Sequence, residues 1–410
     1  MNSGKFFFIL FLLVMFTVSD AQQQIEGLLF SDGRPVSIIV KDGVIGEVKH
    51  ISKLTDNRKN MIIAPGLIDN QVNGFSGVNF SPEEGEAELT EEDILKATRA
   101  LWQKGVTTYL PTLTTGSQSS LVRHFLILAR ARDDKALMGS IAGFHLEGPY
   151  ISPVEGYRGA HSEKYIREPD WDGFMELYKA SGNGILTVTV APEINGGLDF
   201  IKRCAEKGII VALGHHNAPA AIVDQAVEYG ARICTHLGNG LANTINRHVN
   251  PLWSELSNDG LMISIICDGF HLRPEEIRVF YKVKGNDKTI LTSDVTMYAG
   301  MIPGIYKNEA GEDIELGASG ELRYPAQNVL YGSASPLING IGHIMQVTGC
   351  SLADAIHMAS INPARLYGLD DRGSIEPGMR ADLIIFTMDD HKMRIRKTFV
   401  KGEMVFDSGE

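Results

Sequence analysis

Four strand ends carry the residues with chemistry in this 410-residue chain. The apolar stretch Ile141-Ala142-Gly143-Phe144 runs into His145-Leu146-Glu147-Gly148-Pro149, leaving a lone carboxylate where a strand should end. Two further apolar runs, 209–214 and 231–235, stop at His215 and His236, and a fourth, 289–292, is followed by Asp294. One Glu and two His can hold a divalent metal and leave an open position for water, and a nearby Asp can move protons. Each residue also has a plainer use. A single strand-end His is more often a hydrogen-bonded structural residue, and an Asp after a strand often caps the next helix. His215 and His216 compete for one role, because neighbouring strand residues face opposite sides.

The elements that must bring these residues together repeat along the middle of the chain. Apolar strand candidates at 62–68, 107–111, 141–145, 185–190, 209–213, 231–235, 262–267 and 289–292 alternate with helical stretches. That alternation implies parallel strands with crossover helices, and eight of them suit a (β/α)8 TIM-type barrel of the α/β class. A doubly wound open sheet is the alternative. Segments 91–104 and 220–229 have the amphipathic spacing of covering helices, and Pro219 suits the first turn of the second. In barrels the carboxyl ends of the strands form the catalytic mouth, which is where the polar residues fall.

Both ends of the chain are β-rich. Residues 25–48 hold short strand-like pieces with turns at Ser31-Asp32-Gly33 and Lys41-Asp42-Gly43, and 381–386, 394–400 and 403–406 return to the same texture. We therefore expect a small β-sandwich domain built from both termini. The expected division is 22–63 with 372–410 for that domain and 64–371 for the barrel. Residues 1–21 read as a cleaved secretory signal: Lys5 precedes the apolar run 6–18, and Ser19-Asp20-Ala21 supplies small residues for cleavage. That run is shorter than the roughly 20 residues of a spanning helix, so the mature chain is expected to have no membrane span and to be periplasmic or extracellular. A net charge of −12 argues against a nucleic-acid surface. The cysteines Cys204, Cys234, Cys267 and Cys350 form no CxxC pair; Cys234 and Cys267, inside apolar runs, read as buried thiols, and export permits a disulfide that the sequence does not demand.

The ordered set of motifs resembles a known family. Ala-Pro-Gly-Leu-Ile-Asp at 64–69, HLEGP at 145–149, GHHNA at 214–218, THLGNG at 235–240, DGFH at 268–271 and TSDVT at 292–296 resemble the amidohydrolase superfamily, and within it the N-acetylglucosamine-6-phosphate deacetylase family. Asn362-Pro363-Ala364-Arg365 and the segment 373–382 match the superfamily's usual ending. The resemblance spans nearly all of the chain after residue 21. It implies a metal on Glu147, His215 and His236, with Asp294 as general base and acid and His161 polarising the amide carbonyl. The His-x-His usual after the first strand is replaced here by Gln71-Val72-Asn73. Amides are poor zinc ligands, so the resemblance implies one divalent metal per subunit, zinc first, with iron, manganese or cobalt also compatible. It further implies Asn239, Gly240, His271 and Arg247 as substrate contacts, the arginine reaching over from a neighbouring subunit of a homodimer. Gly238 and Gly240 replace the larger residues usual there.

The expected reaction is hydrolysis of the acetamide of N-acetylglucosamine 6-phosphate to glucosamine 6-phosphate and acetate. Export favours an alternative: the same chemistry on an unphosphorylated acetamido sugar, a cell-wall fragment or an N-acyl amino acid. A non-catalytic carbohydrate-binding protein on a retired enzyme scaffold is the reading from a different class. It leaves Glu147, His215, His236 and Asp294 with no shared chemical purpose.

Overall fold

The computed structural model describes residues 22–55, 58–82, 88–307, 311–326 and 329–409. The expected signal, 1–21, lies outside them. Eight parallel strands follow one another in chain order around a barrel: Leu67–Val72, Val106–Leu113, Phe144–Glu147, Ile185–Val190, Ile210–Leu213, Ala231–Cys234, Met262–Ile266 and Thr289–Thr292. A parallel bridge between Val72 and Val295 closes the last strand onto the first. Most strand residues are buried, because barrel packing covers one side and helices the other. That explains why these strands read as continuous apolar runs without alternation.

The covering helices follow local rules. In Glu91–Trp102, Thr90 caps the start through a capping box with Asp93, and Glu91, Glu92 and Asp93 complement the positive end of the helix dipole. Its buried residues Ile94, Ala97, Thr98, Leu101 and Trp102 recur at helical spacing and form the face turned to the barrel. Helix Gln118–Arg132 is capped by Ser117 and ends in Arg130 and Arg132. Its buried face reads Leu121, His124, Phe125, Leu128 and Ala131, with one imidazole among apolar side chains. In Ala220–Glu228, Pro219 occupies the cap with φ −73°, one place before the first turn expected for it.

The run 62–68 is not one strand. Ile62–Pro65 pairs antiparallel with Leu383–Asp389, whereas Leu67–Val72 pairs parallel with Val106–Leu113. The chain changes sheets at Gly66, whose N–H bonds the Asp382 carbonyl and where a Cβ would fall on the Thr107 side chain. Glycine is required there by close approach. The candidate 141–145 is also displaced, the strand running Phe144–Glu147 so that Glu147 is its last residue.

The two ends of the chain share a seven-stranded sheet, ordered Glu403–Asp407, Lys392–Val400, Leu383–Asp389, Ile62–Pro65, Gln23–Leu29, Pro35–Lys41, Val44–His50. Its side chains divide between two cores with the period of two that a strand imposes. Ile63, Leu383 and Ile385 join Ile25, Val36, Ile38 and Phe399 in the sheet's own core, while Ile384, Phe386 and Ile395 pack into the barrel's. A second, four-stranded antiparallel sheet was not anticipated: Gly304–Lys307, Asp313–Leu316, Leu322–Tyr324 and Val329–Leu330 stand between the last barrel strand and helix Leu337–Thr348. Among the described residues no helix is long and apolar enough to cross a membrane, and all four cysteines are free thiols.

Candidate functional site

The strand ends converge. Glu147 closes the third strand, His215 and His236 each stand two residues past the fifth and sixth, and Asp294 stands two past the eighth. All four are buried. His236 Nε2 lies 2.9 Å from Glu147 Oε1, His215 Nε2 lies 3.4 Å from the same oxygen, and the two Nε2 atoms are 3.1 Å apart. One ligand atom from each of the three residues falls within 4.8 Å of the others. His215, His236 and Asp294 have φ of 52°, 30° and 50°, a left-handed turn that side chains adopt at a cost.

This donor set fits a divalent cation. The Nδ1 of His215 lies 2.9 Å from the Tyr157 carbonyl oxygen, which only accepts, so Nδ1 carries the proton and Nε2 presents a lone pair to the cluster. Two imidazole nitrogens and a carboxylate oxygen at these separations form a donor set compatible with one divalent cation. Burial would raise the Glu147 carboxyl, but the imidazoles of His215 and His236 beside it outweigh burial in the metal-free pocket and hold the group well below the usual carboxylate range. Burial likewise works against a charged His236, and Glu147 reverses the balance, so its pKa is raised. The pocket is thus tuned to keep Glu147 ionised.

Gln71 and Asn73 do not point lone pairs at this centre. Gln71 Nε2 donates to Glu147 Oε1 and to Asp294 Oδ1, each at 2.9 Å, and Asn73 Nδ2 donates to Asp294 Oδ1 at 2.7 Å. The amides therefore position the two carboxylates. Burial, reinforced by the Glu147 charge, raises Asp294 to about 7. Beneath it, buried Asp69 accepts from Ser293 N–H, Thr292 Oγ1 and Gln71 N–H, tying the first strand to the eighth. Burial lifts that carboxyl to about 6. Asp69 appeared in the sequence only as part of a motif, with no signal that it would join two strands.

His161 stands beside the cluster, its ring centroid 4.5 Å from that of His215. Its Nδ1 faces Thr115 Oγ1 at 2.8 Å and the Thr115 N–H at 3.4 Å. A backbone N–H can only donate, so Nδ1 accepts and the neutral ring carries its proton on Nε2. Burial, with His215 adding to it, lowers the imidazole to about 3. His216 turns away, its Nε2 bonding Glu255 Oε1 at 3.0 Å, and His145 bonds Thr189 below the site at 2.7 Å.

A cleft of about 600 Å³ opens over the centre. Asn73, Glu147, His161, His215, His236, Asn239, Gly240, His271 and Asp294 all line it. His271 is oriented by Asp268, Nδ1 to Oδ2 2.7 Å. Arg247 is not brought into this chain's cleft; it is exposed, its carbonyl accepting from Trp253 Nε1. Sequence reading missed two walls. One is the loop after the second strand with the start of helix Gln118–Arg132, including Thr115, Ser117, Arg123 and His124; the other is Met297 and Tyr298 with Tyr331, which follows the small sheet's last strand. Ser, Thr and Tyr in loops carry no spacing that could have marked them.

A model of the amidohydrolase family matches residues 62–405. The N-acetylglucosamine-6-phosphate deacetylase of Bos taurus is 32% identical over 358 residues, covering 85% of this chain and 84% of that one. The Bacillus subtilis (strain 168) protein of the same name is 29% identical over 382 residues, 90% and 93% of the two chains. Among solved structures, N-acetylglucosamine-6-phosphate deacetylase from Thermotoga maritima has a TM-score of 0.81 at 28% identity, covering 94% of this chain and 100% of that one. A mutant of the Mycobacterium smegmatis enzyme in complex with N-acetyl-D-glucosamine-6-phosphate has a TM-score of 0.82 at 25% identity, covering 94% and 99%.

Proposed function

The chain belongs to the amidohydrolase family, and on that premise we propose that it is a metal-dependent deacetylase converting N-acetylglucosamine 6-phosphate to glucosamine 6-phosphate and acetate. The observation that carries the reading is the buried Glu147, His215 and His236 triad with Asp294 held beside it in an open cleft. The relatives named above act on this substrate by name, and one of them holds it.

In the proposed mechanism Glu147, His215 and His236 hold one divalent metal, zinc in the first instance. A cation there supplies Lewis acidity toward water and a carbonyl oxygen. Asp294 takes a proton from the attacking water and returns it to the leaving nitrogen. Gln71 and Asn73 fix the carboxylate that does so. His161 presents Nε2–H to the oxygen on which negative charge develops. Asn239, Gly240 and His271 receive the sugar phosphate, completed by Arg247 from a second copy in a homodimer; its planar fork suits phosphate oxygens. Residues 22–63 with 372–410 form the small β unit of this proposal, and 64–371 form the hydrolase barrel.

The test is hydrolysis of N-acetylglucosamine 6-phosphate against N-acetylglucosamine by zinc-loaded protein. The phosphorylated sugar is expected to be preferred, and Arg247→Ala to lower its kcat/KM by about 10- to 100-fold, the effect of one or two charge-assisted hydrogen bonds. The signal-like segment 1–21 favours a second reading, an exported enzyme acting on an unphosphorylated acetamido sugar. An unchanged kcat/KM in Arg247→Ala selects it. Export itself predicts that mass spectrometry of the protein from its native host finds an N-terminus near residue 22; recovery of chains beginning at Met1 in the cytosol refutes it.

A further inference from the structure

The cleft has a second arm that deacetylation leaves without a purpose. Asn239, Gly240 and His271 follow the sixth and seventh strands, whereas the wall formed by Thr115, Ser117 and Arg123 follows the second. In an eight-stranded barrel the second and sixth strands face each other across the mouth, with the triad between them. An amide hydrolysed there sends its nitrogen substituent and its acyl chain in different directions. With the sugar phosphate on the sixth-strand side, as proposed above, the acyl chain is left the arm beside helix Gln118–Arg132.

That arm is built for negative charge. The cleft's acidic lining residues are Glu147 and Asp294, both at its centre, and the first turn of the 15-residue helix holds no acidic residue against its dipole. Arg123 lines the arm and makes no hydrogen bond or ion pair among the described residues. His124 is the second, independent observation. It also lines the cleft, is only 2% exposed, and its Nδ1 has no hydrogen-bond partner. Burial, with Arg123 adding to it, keeps the ring neutral by lowering its pKa to about 4. A buried polar atom without a partner is destabilising, and apolar neighbours such as Phe125 and Leu128 on the same helix face show what the position would otherwise hold.

We propose that this arm is a subsite for a carboxylate at the far end of the acyl chain, so that the enzyme also hydrolyses dicarboxylic half-amides of the amino sugar phosphate, of succinyl or glutaryl length. Water adds to the amide carbonyl carbon, the C–N bond breaks, the amine takes the proton, and the dicarboxylate leaves where acetate otherwise would. No further reactant is needed. This rests on the deacetylase reading, and the experiment separates the two. Metal-loaded protein is assayed with the N-acetyl, N-butanoyl and N-succinyl derivatives of glucosamine 6-phosphate, the last two matched in length and differing in the terminal carboxylate. Wild type is expected to favour succinyl over butanoyl by about tenfold in kcat/KM, the effect of one charge-assisted hydrogen bond partly open to water. Arg123→Ala should bring the ratio to about one and Arg123→Lys should keep part of it; Arg123 is exposed, and the melting temperature checks that each variant is folded. Butanoyl cleaved as well as succinyl by wild type, or a ratio unmoved by Arg123→Ala, overturns the subsite alone. Failure to cleave all three derivatives overturns the deacetylase reading with it.

Discussion

Replacing Asp294 with Asn is expected to lower kcat/KM for N-acetylglucosamine 6-phosphate by about 10³- to 10⁴-fold while metal content stays at the wild-type level. The side chain keeps its shape and remains within reach of Gln71 and Asn73, which now bond it at 2.9 and 2.7 Å. What disappears is the proton acceptor. General acid–base catalysis is worth about 10²- to 10⁴-fold for one positioned group, and Asp294 would serve both water and leaving nitrogen, which places the loss toward the upper end. The acid limb of the wild-type pH profile is expected to belong to the same group. With Asp294 as the proposed proton acceptor, activity is expected to need the carboxylate and to fall as pH drops through the Asp294 pKa, raised by burial to about 7 in the metal-free protein. A cation beside it favours the charged form and moves the limb to lower pH. Activity within tenfold of wild type in Asp294→Asn, with metal bound, would assign the proton transfers to another group.

Removing the metal should be as damaging to rate and should also be visible in stability. Chelated protein is expected to retain less than about one part in 10³ of its activity and to recover on addition of zinc, because a water activated at neutral pH is what a cation held by the triad would provide. Ligand that binds only the folded state stabilises it by RT ln(1 + [L]/Kd), about 4 kcal/mol at a thousandfold excess over Kd, so the melting temperature should rise with zinc. Glu147→Gln decides what the triad is for. If Glu147 serves mainly to pair with His215 and His236 at 3.4 and 2.9 Å, breaking that buried pair costs about 3–5 kcal/mol and zinc has no effect on either protein. If it serves the metal, the variant loses its zinc response while its metal-free melting temperature stays near that of metal-free wild type. Differential scanning calorimetry with and without zinc separates the cases.

How much of this was legible in the sequence depends on what each residue had to signal. The barrel strands were readable because burial on both sides makes them unbroken apolar runs, and their ends because a Glu or His stops such a run abruptly. Continuity that revealed a strand also concealed a junction: 62–68 is apolar throughout, and only Gly66 marks the change from one sheet to another. The small sheet went unread for the opposite reason. Its strands are two to four residues long, and Asp313–Leu316 alternates exposed with buried over too short a span to stand out. At the centre, the sequence could present Gln71 and Asn73 only as missing ligands, whereas their contacts make them donors to Glu147 and Asp294. Arg247 is exposed in this chain, and the phosphate contact proposed for it would come from a second copy. His124 was invisible because it occupies a helix position where an apolar residue fits the pattern.

The left-handed torsions at His215, His236 and Asp294 bear on how this chain would behave if selection for catalysis were relaxed. Each holds a non-glycine residue in a conformation that costs about 1 kcal/mol or more, at three separate turns. Glycine or asparagine at any of them would relieve the torsion but would also give up a buried partner, Glu147 for His215 and His236, and Gln71 and Asn73 for Asp294. Relief of a torsion and loss of a buried partner therefore pull in opposite directions at each turn. The three turns thus place backbone strain on the same side chains that meet around Glu147.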